Sequence, residues 1–194
     1  IPRQDQHEGV SLAARSEQIE RGRDGAVEAR CAFALDLHAG RIVEHERDGL
    51  ERVGTSSPPA VANGVVVVGS SVIDFAYAEA PRGVVAAYDA ITGEPRWTFD
   101  PLQGVTGTGA ANAWAPLSVD AGRDLVFVPT GAPSPDFYGA NRPGQNAYAN
   151  SVVALRLSTG EVAWAFQLVH HDLWDYDTPA QPVLFDWPAA DGRR

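Results

Sequence analysis

Short apolar runs, several of them rich in Val, alternate along the chain with Gly, Pro and polar residues. This pattern predicts many short strands joined by tight turns in preference to a helical bundle. One unit recurs: an apolar strand, a turn into an acidic or polar residue, a Gly a few positions on, and another strand. Its copies are Ala34-Leu35-Asp36-Leu37-His38-Ala39-Gly40, Ala87-Tyr88-Asp89-Ala90-Ile91-Thr92-Gly93 and Ala154-Leu155-Arg156-Leu157-Ser158-Thr159-Gly160. The second and third continue to Trp97 and Trp164. Each unit reads as a hairpin in which Gly supplies the positive φ of the turn, and the Trp is expected to be buried between neighbouring sheets.

Further strands are expected at 61–69, 125–129 and 182–185. Repeats of this kind are the signature of β-propeller blades. Gly40, Gly93 and Gly160 stand further apart than the ~40–45 residues of a minimal blade. Long connections at 101–111 and 132–149 account for the excess, and such rim loops are where propellers place function. The expected fold is all-β, a partial β-propeller of two to three blades spanning residues 31–194. Residues 1–30 are polar and charged, read as a short surface helix or as nothing fixed, and receive no assigned role.

Composition narrows the picture. In 194 residues, 44% hydrophobic and 21% charged, there is enough apolar material for a buried core. A formal net charge of -10 excludes the basic surface that nucleic acid requires. No apolar stretch approaches the ~20 residues of a membrane span, so any anchor lies outside this sequence. A single Cys, Cys31, excludes an internal disulfide framework and any multi-Cys metal site. With no Met anywhere and no leader-like start, the sequence reads as an internal piece of a longer protein.

Candidate chemistry concentrates in Val169-His170-His171-Asp172-Leu173-Trp174-Asp175-Tyr176-Asp177. Two readings are open for this segment. In one, the aromatics pack between blades and the acids cap turns; in the other, a rim loop aims an Asp at a ligand. His170 and His171 are adjacent and point to opposite sides of an extended chain, which argues against joint metal ligation.

The string His170-His171-Asp172-Leu173-Trp174-Asp175-Tyr176-Asp177, with Ala111-Asn112-Ala113-Trp114-Ala115-Pro116 and Pro129-Thr130-Gly131 leading to Asp136-Phe137-Tyr138-Gly139, closely resembles the PQQ-dependent dehydrogenases of the glucose, quinate and shikimate group. The likeness runs from about Ala32 to Asp186. It implies an eight-bladed quinoprotein propeller holding pyrroloquinoline quinone (PQQ) and a divalent cation near its axis.

Carried over position by position, the family's catalytic base falls on Asp175, and the indole that lies against the cofactor falls on Trp114. Ser56 and Ser71 match hydroxyl positions that contact cofactor carboxylates. Asp172 and Asp177 are read as structural. The metal site departs from the pattern. Asp74 stands nearest the first ligand position but is followed by Phe75 where glucose-type relatives have Asn, and Ala132 occupies the Asn position of the alcohol enzymes. Asp74, Asp175 and Ser134 are therefore the expected ligands, for Ca²⁺ or Mg²⁺.

The resemblance further implies oxidation of a sugar, polyol or cyclic alcohol, a quinone or cytochrome as electron acceptor, and a periplasmic location, with any inner-membrane anchor elsewhere in the parent protein. The competing readings are a non-catalytic propeller scaffold of the outer-membrane assembly type and an alcohol-type quinoprotein. The scaffold would share the Thr-Gly-x-x-x-Trp units but would not call for Trp114 with the His170 to Asp177 string.

Overall fold

The structure is a computed structural model that describes residues 32–36, 41–45, 53–75 and 80–187. The reading of residues 1–30, Cys31 and the turn of the first repeat lie outside these residues. The described chain is all-β apart from one short 3-10 turn, Gly139–Asn141.

Two four-stranded antiparallel sheets carry the architecture. The first contains β4 (Ala60–Ala62), β5 (Val65–Val68), β7 (Val85–Asp89) and β8 (Pro95–Phe99), side by side in that order. The second runs β9 (Ser118–Asp120), β10 (Leu125–Pro129), β11 (Ser151–Arg156) and β12 (Val162–Gln167). Two small pairs precede and interrupt the first sheet: β1 (Ala32–Asp36) with β2 (Arg41–His45), and β3 (Val53–Gly54) with β6 (Ser71–Val72). Each large sheet is a propeller blade in strand number and antiparallel order.

The strand expected at 61–69 is a hairpin, β4 and β5 joined at Asn63-Gly64, whose φ values of 48° and 74° are those of a tight primed turn. No strand forms at 182–185. Pro179 and Pro182 have no N–H to offer a ladder. This stretch is held to the edge of the second sheet by side chains, Ser118 donating to the Pro182 carbonyl and Gln181 donating to that of Leu117 at 2.9 Å.

Alternation places Val65, Val67, Val85 and Ala87 on one face of the first sheet, where they meet Val126, Val128, Val153 and Leu155 of the second in a shared core. Val66 and Val68 point the other way and pack with Tyr88, so β5 is buried along its whole length. Asn63 adds a hydrogen bond of 2.9 Å to the Ala121 carbonyl, tying the first hairpin to the edge of the second sheet.

The two repeat tryptophans differ. Trp97 leaves β8 to lie over the β11–β12 turn and donates its indole N–H to the Leu157 carbonyl at 2.9 Å. It bridges the two sheets, as expected, but is half-buried where full burial was expected. Trp164, in the matching place on β12, packs on Phe127 with ring centroids 5.8 Å apart and remains 46% exposed. This corrects the expectation of burial. Among the described residues, no second sheet covers the face on which Trp164 lies.

Gly160 is required where Trp97 lands. Its φ is 76°, and a Cβ there would sit 2.6 Å from the indole. Gly64 has nearly the same φ but open space around it. Gly64→Ala should therefore cost about 1–2 kcal/mol, the left-handed backbone penalty alone, and Gly160→Ala distinctly more, because Trp97 must also move. Denaturant midpoints of the two variants measure the difference; equal losses would show that Trp97 does not brace the second sheet.

Candidate functional site

Four connections converge at one end of the two sheets. The β8–β9 connection is laced to the β10–β11 connection: Ala111 N–H donates to the Ala132 carbonyl and Gly131 N–H to that of Asn112, each at 2.9 Å. Asn150, just ahead of β11, links the next layer. Its backbone N–H donates to the Gly131 carbonyl, and its side-chain amide donates to Asp172 Oδ2 at 2.8 Å and to the Tyr176 carbonyl at 2.9 Å.

The segment after β12 is shaped by Asp172. Its buried carboxylate accepts the backbone N–H of Trp174 at 2.9 Å and that of Tyr176 at 2.7 Å, curling the chain around itself. Arg142, fully buried, clamps this curl to the β10–β11 connection. Its guanidinium donates to the carbonyls of Pro135, Asp136 and Asp172 and to Asn146 Oδ1. His171 packs against Gly139, and its Nδ1 lies 2.7 Å from the Gly144 carbonyl, while His170 is exposed.

The curl presents Asp175 at its tip in the left-handed conformation, φ 61°, exposed and flanked by the stacked rings of Trp174 and Tyr176. A non-Gly residue held there by its surroundings is a common mark of a functional position. Asp177 turns inward. Its Oδ2 accepts the indole N–H of Trp114, and its Oδ1 accepts the backbone N–H of Ala132. Glycine is needed at 131, because a Cβ there would come within 2.6 Å of the Asp177 carboxylate.

Asp74 arrives from the end of β6. One carboxylate oxygen from each of Asp74, Asp175 and Asp177 lies within 4.8 Å of the others. Hard oxygen donors at this spacing suit Ca²⁺ or Mg²⁺. The structure thus brings Asp74 and Asp175 together with Trp114 nearby, and places Asp177, read as structural, in the same group. The Ser134 hydroxyl is buried and accepts the Ala80 N–H at 3.2 Å. Ser56 donates to the Trp114 carbonyl at 3.2 Å, beside the indole-bearing residue. Ser71 is half-buried on β6, opposite Gly54.

The acids perturb one another. Burial raises the Asp74 carboxyl above its ordinary range, and the Asp177 charge raises it further. Asp175 is raised by partial desolvation and then by Asp177 and Asp74. Asp177 is raised by burial, opposed by its hydrogen bonds from Ala132 and Trp114. Asp136, which sequence reasoning passed over, is pushed up to about 7 by burial and by the charges of Asp74, Asp175 and Asp177. The Asp-x-Asp spacing of 175 and 177 was a signal available for Asp177. For Asp136 there was none, since its surroundings come from three distant segments.

All four shifts have the same sign. A carboxyl with a raised pKa binds more protons in the native than in the unfolded chain between pH 3.8 and its native value, so stability falls as pH rises through that window. In chelator, free of divalent ions, the protein should be less stable toward denaturant at pH 8 than at pH 5. Asp136→Asn should flatten that dependence and raise stability at pH 8. A stability that increases from pH 5 to pH 8 would contradict the crowding.

Residues 24–194 match the family model described as PQQ: Glucose/ethanol/alcohol dehydrogenase, beta-propeller domain. The chain is 38% identical over 169 residues, 81% of its length, to the quinate/shikimate dehydrogenase (quinone) of Acinetobacter baylyi. It is 42% identical over 144 residues, 68% of its length, to the quinoprotein glucose dehydrogenase of Escherichia coli K12. These alignments take in 20% and 18% of the two relatives, so the chain spans about a fifth of the length of the curated proteins it matches. Among solved structures, the quinohemoprotein alcohol dehydrogenase from Comamonas testosteroni superposes with a TM-score of 0.64 at 24% identity, over 84% of this chain and 29% of that one, a likeness of fold.

Proposed function

Because this chain belongs to the β-propeller domain family of PQQ-linked glucose, ethanol and alcohol dehydrogenases, we propose that it forms part of the active site of an enzyme that oxidises a sugar, polyol or cyclic alcohol, with Asp175 as general base. The observation that carries this reading is the convergence of Asp74, Asp175 and Asp177 at one rim, with Asp177 bonded to the Trp114 indole. Relatives named as quinate/shikimate and glucose dehydrogenases favour a hydroxylated small molecule as substrate and a quinone as acceptor; a cytochrome is the alternative acceptor.

The residues present fit the cofactor. Trp114, half-buried with its N–H fixed by Asp177, offers a flat apolar face to a flat ring system. Ser56 and Ser71 are assigned to the cofactor's carboxylates. Asp74, Asp175 and Asp177 would hold a divalent cation. PQQ, when bound, supplies the electrophilic carbonyl that takes up hydride from the alcohol carbon.

The chain's own contribution is to the proton. Asp175 is exposed and its carboxyl is raised by partial desolvation and by Asp177 and Asp74, so its carboxylate is a stronger base than a free Asp. With one oxygen given to a cation, Asp175 would keep the other to accept the substrate hydroxyl proton. Trp174 and Tyr176, their rings stacked with centroids 6.0 Å apart, flank it in the chain.

In the full-length enzyme, Asp175→Asn should retain PQQ, followed by its absorbance, and lose turnover by about 10²-fold or more, the usual scale for a positioned base. Near-normal turnover with cofactor in place would assign the proton to another group, such as His171 or Asp172.

A further inference from the structure

Asp136 carries a carboxylate with no visible occupation. It is 1% exposed, and neither of its side-chain oxygens has a hydrogen-bond partner among the described residues. Buried carboxylates are ordinarily paired or hydrogen-bonded, and one that is not calls for an explanation such as a water or an ion. Arg142 does not supply it, since its N–H groups go to the carbonyls of Pro135, Asp136 and Asp172 and to Asn146. The charges of Asp74, Asp175 and Asp177, the three acids of the candidate cation site, raise the Asp136 carboxyl, and the Arg142 charge opposes them. Among the described residues no hydrogen bond compensates.

Three aspartates do not satisfy a hard divalent cation. Ca²⁺ takes six to eight oxygens and Mg²⁺ six, and the positions the protein leaves open are filled by water whose protons need acceptors. Both Asp136 oxygens lack a partner among the described residues, and Arg142 ties the Asp136 carbonyl to that of Asp172, on the loop that carries Asp175 and Asp177. We propose that Asp136 is an outer-sphere partner of the cation, accepting hydrogen bonds from cation-bound water and adding a fourth negative charge to the site. This inference rests on Asp74, Asp175 and Asp177 being the cation ligands.

The test uses the full-length protein, freed of PQQ and stripped of divalent ions, with Ca²⁺ as the probe. Calorimetric titration gives the affinity, and melting with and without Ca²⁺ gives stability. Asp136→Asn should weaken Ca²⁺ binding about tenfold, within the range typical of outer-shell partners. Its ion-free melting temperature should equal or exceed that of the wild type, because a buried charge among like charges has been removed. Asp136→Glu, which keeps the carboxylate, should bind Ca²⁺ more tightly than Asp136→Asn. An Asn variant with wild-type affinity, or one that melts lower or fails to fold without ions, would overturn the proposal, as would equal losses in both variants. A wild-type protein that does not bind Ca²⁺ would instead remove the cation site on which the inference stands.

Discussion

The carboxylate of Asp177 ties together three parts of the chain that are far apart in sequence. It is held between the Trp114 indole and the Ala132 amide, with Gly131 giving it room, and it lies among the acids formed by Asp74 and Asp175. Loss of either hydrogen bond would leave a half-buried charge unpaired, which is costly. The plane of Trp114 and the position of the acid group are thus set by one side chain, and a cofactor face and a cation could be held in fixed relation by it.

That arrangement is electrostatically unfavourable by itself. Two unit charges within 4.8 Å repel by about 3 kcal/mol at an effective dielectric of about 20, and three carboxylates make three such pairs. A domain's whole stability is only about 5–15 kcal/mol. The group can take up protons, as the raised pKa values indicate, or a cation.

Much of the architecture was legible in the sequence because it is local. Thr92-Gly93 and Thr159-Gly160 marked hairpin turns by the residue type that positive φ demands, and both glycines have it. The Trp97 contact followed from the same repeat. Trp164 obeyed the same rule but is not covered within the described chain, so a local pattern could not fix its environment. The string ending in Asp177 marked the segment whose Asp175 and Asp177 meet Asp74, and the resemblance singled out Asp175 and Trp114. What the string could not reveal was long-range: Ser134 accepts the Ala80 N–H, Asp177 joins the acid group, and the buried Asp136 carboxylate has no partner among the described residues. Each depends on segments brought together only by the stacking of the two sheets.

Arg142 hydrogen-bonds only to uncharged oxygens, three carbonyls and an amide. None of these gains or loses a charge when the nearby acids are protonated, ionised or neutralised by a metal. The loops it clamps are therefore held through the same hydrogen bonds whatever the state of the acids. Loading such a site loses little chain entropy, so differences in how tightly close variants bind would originate in the charges lining the site and not in the ordering of its walls.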